Sequence, residues 1–97
     1  MLQKKYLDII NKILWVHLDK SRDRAFIFGS WALGDNRKWS DIDIGIESKR
    51  KLPLGIVSRL QEAFEISDLP YMVDVVDFNL AGEKFVKLAK SKIIKLN

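Results

Sequence analysis

Residues 29–46 read GSWALGDNRKWSDIDIGI, and the two ends of this stretch decide how the chain is interpreted. The later half alternates. Ile42, Ile44 and Ile46 point one way, and Asp41, Asp43, Gly45 and Glu47 point the other, as on a strand with one apolar and one acidic face. Carboxylates two residues apart on a strand lie side by side. They repel each other unless something positive sits between them. A hard divalent cation suits them, because Mg²⁺ takes oxygen ligands and shares them with substrate phosphates. Gly45 extends the acidic face without a side chain, the mark of a place where a ligand comes close.

The earlier half is a turn. Ala25-Phe26-Ile27-Phe28 is a short apolar run that reads as a buried strand stopped by Gly29. Ser30 is expected to cap a short helix, Trp31 to Leu33. A strand, a glycine, a hydroxyl and a helix start present N–H groups and an O–H to an anion. Glycine allows a phosphate to approach the backbone. Each half is common alone: an exposed Asp-x-Asp is ordinarily a solvated edge, and Gly-Ser follows many strands. Together they make a phosphate cradle beside a metal-binding pair, which chemistry on a nucleoside triphosphate requires.

Outward from this stretch, helical spacing of Leu2, Tyr6, Ile9, Ile10, Ile13, His17 and Leu18 predicts a helix over Leu2 to Leu18. Gly34 to Lys38 is a turn-rich loop. Pro53 suits the first turn of a helix running to Ile66, with Ile56, Val57, Leu60, Ala63 and Phe64 inward. Met72 to Phe78 reads as a third strand carrying Asp74 and Asp77. Asn79 is expected to cap a last helix reaching Ser91, with Phe85, Val86, Leu88 and Ala89 inward. Ile93 to Leu96 reads as an edge strand. The order predicts an α+β fold, a small mixed sheet with helices packed on one face and the Asp41 strand's other face open.

The 97 residues contain no cysteine, which excludes disulfides and thiolate metal sites. The length suits one domain, 1–97, and no apolar run reaches the roughly 20 residues of a membrane span. The start lacks the pattern of a signal peptide, so a cytoplasmic protein is expected. A net charge of +4 is mild. Lys49-Arg50-Lys51 and the lysines Lys84, Lys87, Lys90, Lys92 and Lys95 read as solvated faces rather than nucleic-acid sites. His17 on the apolar arc reads as a packed residue, and Trp15 on the polar face as packing or a partner contact. Trp39, next to Ser40, could wall the site.

The motif resembles the signature of the nucleotidyltransferase superfamily that includes DNA polymerase β: Gly-Ser, ten residues (Trp31 to Ser40), then Asp-x-Asp. Gly34 and Ser40 match as well. The SDLPYMVDVVD segment and the lysine-rich C-terminal helix resemble the minimal nucleotidyltransferases of bacteria and archaea, from Ala25 onward. The resemblance implies a polymerase β-like fold. It implies that Gly29 and Ser30, with Gly34 and Ser40, hold the phosphates of ATP or another NTP. It further implies that Asp41, Asp43 and a third carboxylate bind metal, with two Mg²⁺ ions. By position in VDVVD the third carboxylate is Asp74. Asp77, its alternative, points to the opposite strand face, so only one of the two joins the site. The implied reaction is transfer of NMP to a hydroxyl with loss of pyrophosphate.

The implied partner is a helical protein of the HEPN class, within a toxin–antitoxin pair and a homo- or hetero-oligomer. Nucleic acid and membrane are not implied. Close relatives commonly carry arginine directly after Gly-Ser. Here Trp31 stands there, so a cationic contact must come from elsewhere, such as Arg37 or Lys38, and Trp31 is expected to pack. The competing reading is a binding module that neutralises its partner stoichiometrically.

Overall fold

The computed structural model describes residues 2–97. Its elements are α1 (Lys4–His17), β1 (Asp23–Phe28), α2 (Ser30–Leu33), β2 (Ile42–Ser48), α3 (Ile56–Glu65), β3 (Val73–Asp77), α4 (Glu83–Ala89) and β4 (Ile94–Lys95). The sheet order is β3-β2-β1-β4. β1 pairs antiparallel with β2 and β4, and β2 pairs parallel with β3. A parallel pair needs a crossover, and α3 supplies it.

Two periodicities build the main core. Ile10 and Leu14 of α1, with Leu18 just past its end, repeat every fourth residue, and Ile56, Leu60 and Phe64 do so along α3. Residues four apart stack on one helix face. Both stripes cover the sheet face made by Ala25, Ile27, Ile42, Ile44, Ile46, Val73 and Val75. Each fully buried branched side chain contributes about 1.5–3 kcal/mol.

The other sheet face differs from the expectation of helices on one side only. Phe26, Phe28 and Phe78 form a second cluster there, and Val86 and Ala89 of α4 pack on it. Three rings on that face require a cover, and α4 supplies part of it. Gly45 also differs from expectation. A Cβ at Gly45 would run into the Phe26 and Phe78 rings. Its bare backbone serves aromatic packing and leaves no room for a ligand.

Local signals shift some boundaries. Ser30 is not the cap of α2 but its first residue; Gly29 is the cap. Pro53 sits in a turn whose carbonyl accepts the Ile56 N–H, and α3 starts only after Gly55, at φ 79°. Asn79 does not cap α4, which Gly82 precedes. Its Oδ1 instead accepts the Ser48 N–H at 3.2 Å, joining the ends of β2 and β3. In α4, Val86 and Ala89 turn inward and the Phe85 ring meets Phe28 and Phe78, while Leu88 remains 76% exposed. No helix among the described residues is long and apolar enough to cross a membrane.

Candidate active site

β1 delivers Gly29 to one end of the sheet, and β2 brings its carboxylates alongside. Phe28 pairs with Asp43, so the turn and the acidic strand meet in register. Gly29 adopts φ 72°, a region that L side chains rarely enter. A Cβ there would also collide with the Asp43 carboxylate. Glycine is therefore demanded twice, by the backbone and by its neighbour.

The α2 turn leaves donors over. Ala32 and Leu33 donate their N–H groups to the Gly29 carbonyl, at 3.1 and 3.0 Å. The N–H groups of Ser30 and Trp31, and the Ser30 hydroxyl, have no acceptor among the described residues. Unpaired donors at a glycine turn suit an anion. Gly34 has a different part. It ends α2 at φ 82°, its N–H bonded to the Ser30 carbonyl at 2.9 Å. That is the glycine helix stop. Ser40 Oγ accepts the Arg37 N–H at 2.7 Å, which fixes the loop and leaves its O–H free to donate.

The structure brings Asp74 to Asp43. The two are direct partners in the parallel β2–β3 pairing, about 4.8 Å apart across the sheet. Asp41 precedes Asp43 by two residues, on the same side. None of Asp41, Asp43 and Asp74 has a hydrogen-bond or ion-pair partner among the described residues. Burial pushes the Asp43 carboxyl above its ordinary value, and the charges of Asp74 and Asp41 push it further. Asp77 pairs with Ile46, on the core side, and its Oδ1 accepts the Asn79 N–H at 2.9 Å. The register thus groups Asp74, not Asp77, with Asp43.

An all-oxygen donor set with no internal cation fits Mg²⁺. Among the described residues no three acidic or imidazole groups close around one point. Mg²⁺ in general is bound by one or two carboxylates, with waters and substrate phosphates completing its shell.

Trp31 is buried. Its Nε1 donates to the Ser40 carbonyl at 2.9 Å, and its ring meets Tyr71 edge-on at 5.4 Å. The indole thus locks α2 to the loop preceding Asp41 and leaves no cation at that position. Arg37 is exposed, and Lys38 lies over the Trp39 ring at 5.6 Å. Trp15 is half-buried, donating to Asn11 Oδ1 at 3.1 Å, and His17 bonds the Ile13 carbonyl at 3.0 Å. Both are packed helix residues.

One residue escaped the sequence reading. Gln61 of α3 donates its Nε2 to the Val73 carbonyl, and its Oε1 accepts the Val75 N–H at 3.1 Å. The amide grips the backbone on both sides of Asp74. A lone glutamine on an amphipathic helix carries no signal of this; only the crossover places it against β3.

A mixed four-stranded sheet, with the Gly-Ser turn and Asp41, Asp43 and Asp74 at one end of it, makes this an α+β domain. The chain belongs to the polymerase β nucleotidyltransferase family, whose pattern matches residues 10–96. It is 40% identical over 66 residues to the probable protein adenylyltransferase MntA of Haemophilus influenzae. That stretch is 68% of this chain and 58% of the relative, so the match spans little over half of that protein. The fold superposes on a toxin–antitoxin crystal structure with AMP-PNP at a TM-score of 0.76 and 25% identity, covering 94% of this chain and 72% of that one. It also matches the fold in a complex of tri-AMPylated Shewanella oneidensis HEPN toxin with MNT antitoxin. There the TM-score is 0.66 and the identity 21%, over 99% of this chain and 72% of the other.

Proposed function

We propose that the protein transfers AMP from ATP to a hydroxyl on a HEPN-type helical partner, and so acts as the antitoxin of a toxin–antitoxin pair. The observation that carries this is the unpaired trio Asp41, Asp43 and Asp74 beside the free donors of Gly29-Ser30. The likeness to MntA and to the toxin–antitoxin structures supports it.

In this reading the Ser30 and Trp31 N–H groups and the Ser30 hydroxyl hold the β- and γ-phosphates. Asp41 and Asp43 would hold Mg²⁺, and Asp74 would help hold a second ion. Metal held there would supply neutralisation of the charge that develops on the triphosphate. Gln61 keeps the Asp74 peptide units in line, which orients its carboxylate. The acceptor oxygen forms a bond to the α-phosphorus, the bond to pyrophosphate breaks, and the hydroxyl proton passes to solvent. ATP as donor makes the cytoplasm its place of work.

Incubation with [α-³²P]ATP, Mg²⁺ and a HEPN-class helical partner tests the proposal. Label is expected on the partner and is expected to vanish with Asp43→Ala. Wild type and Asp43→Ala giving equal, background labelling sinks it.

One observation favours the second reading, a stoichiometric binding module: the buried Trp31 contributes no cation to the triphosphate. Calorimetry separates the two. Tight Mg-ATP binding that depends on Asp43 supports the enzyme, and partner binding without nucleotide affinity supports the module.

A further inference from the structure

We propose that the end of the sheet opposite the carboxylate trio binds an acidic segment of a partner protein, extended, with a carboxylate at every second residue. The inference goes beyond nucleotidyl transfer and uses none of its residues.

Two clefts meet at this end. The larger, of about 800 Å³, has Arg22, Arg24, Glu47, Lys49 and Arg50 in its lining. The smaller, of about 220 Å³, shares Arg24 and Glu47 and adds Phe26, Lys90 and Lys95. Six cations therefore surround one acidic side chain. Three of the six are engaged: Arg22 with Asp19 at 2.8 Å, Arg50 with Asp23 at 2.7 Å, and Lys90 with Glu47 at 2.9 Å. Arg24, Lys49 and Lys95 are exposed, and none has an acidic partner among the described residues.

Register sets these three in a row. Arg24 stands opposite Glu47, and Lys49 follows Glu47 by two residues. On the other flank Lys95 stands opposite Phe26, two residues past Arg24. Lys49 and Lys95 are thus diagonal neighbours of Arg24, one on each side, about 7–8 Å away. The row crosses the sheet from the end of β2, over β1, to β4. An extended peptide shows alternate side chains on one face about 6.4–6.8 Å apart. Three carboxylates at that spacing can each meet one of the three free cations. A guanidinium takes a carboxylate through two parallel N–H bonds, as Arg50 takes Asp23 beside the larger cleft.

RNA is the competing anion. Proteins that hold single strands combine cations with exposed rings on which the bases stack. Phe26 is the one ring in the two linings, and it is only 3% exposed. The clefts offer charge without a stacking platform, which favours a peptide.

The test is fluorescence anisotropy of the full chain with a labelled decapeptide of alternating Glu and Ser, its Gln-Ser counterpart, and a uridine decanucleotide. The Glu-Ser peptide should bind at low salt and weaken as salt rises, and the Gln-Ser peptide should not bind. Arg24→Glu should weaken the Glu-Ser peptide by about tenfold or more, and Lys49→Glu and Lys95→Glu should shift it in the same direction. Lys84→Glu, on α4 outside both clefts, makes the same charge change and should leave affinity within about twofold. An unchanged Tm shows each variant to be folded. Absence of Glu-Ser binding, or equal binding of the Gln-Ser peptide, overturns the proposal. So does a loss on Lys84→Glu as large as that on Arg24→Glu, which would trace the attraction to net charge alone. RNA bound more tightly than peptide through the same three residues overturns it in favour of a nucleic-acid face. Each of these failures leaves nucleotidyl transfer standing.

Discussion

Asp23 and Asp43 stand at opposite ends of the β1–β2 pair, across from Ser48 and Phe28 respectively. Asp23 is fully buried and fully satisfied. Arg50 donates Nε and Nη2 to its two oxygens at 2.9 and 2.7 Å, Ser48 Oγ donates at 2.7 Å, and the Asp19 N–H at 2.8 Å. Burial opposes its charge, but the bonds from Arg50, Ser48 and Asp19 prevail and hold its pKa down to about 2. Asp43 has none of these donors and two acidic neighbours, and its pKa moves the other way. Identical side chains thus serve opposite ends: one ties the sheet together, and the other keeps its charge available for something from outside.

The sharpest way to break this comparison is to remove the cation at the Asp23 end. Arg50→Ala strands a buried carboxylate, which costs about 3–5 kcal/mol. Thermal unfolding should show Tm down by roughly 12 °C or more. A drop of only a degree or two would mean the pair is no structural tie.

Gly29→Ala comes next. It forces an alanine to φ 72° against the Asp43 carboxylate. About 1–3 kcal/mol should be lost in urea unfolding, and Mg-ATP affinity with it. Asn97→Ala ranks third. The Asn97 amide bonds the Lys20 and Asp23 carbonyls and accepts the Ala25 N–H, at 3.0, 2.7 and 3.0 Å. Its loss should cost about 1–3 kcal/mol, nearer the lower figure where water can replace it, with nucleotide binding unchanged.

The smallest effect has the opposite sign. A carboxyl whose folded pKa is raised destabilises the fold once ionised. Asp43→Asn should therefore raise Tm at neutral pH while abolishing Mg-ATP binding. The gain should shrink as pH falls into the range where Asp43 takes up its proton. Asp23, with its lowered pKa, contributes stability above its ordinary value of 3.8 and loses it as pH falls through about 2. Scanning calorimetry from pH 7 to pH 2 should show the Asp43 penalty disappearing first and the Asp23 contribution second.

What the sequence made legible was local. The alternation at Asp41–Glu47, the Gly-Ser turn and the fourfold spacing in α1 and α3 each lie within one element, where periodicity alone speaks. What it hid depends on register between distant elements. Gly45 looked like a ligand approach until β1 and the turn after β3 carried Phe26 and Phe78 over it. Arg50 looked like a solvated charge until it met Asp23, 27 residues away. Leu88 fitted an inward stripe, but Gly82 starts α4 later than Asn79 would have, and a seven-residue helix buries only a narrow face. The choice between Asp74 and Asp77 was likewise a matter of which β2 residue stands opposite.

Gln61 has a consequence for how molecules of this protein meet. β3 is the outer strand of the sheet, and an outer strand offers unpaired backbone groups that recruit other chains into a continuing sheet. The Gln61 amide occupies the Val73 carbonyl and the Val75 N–H as a neighbouring strand would. Two links of that ladder are already taken, and the helix behind them stands in the way of a newcomer. This side of the sheet is a blunted border, and concentrated Gln61→Ala protein should aggregate by strand addition where the parent stays dispersed.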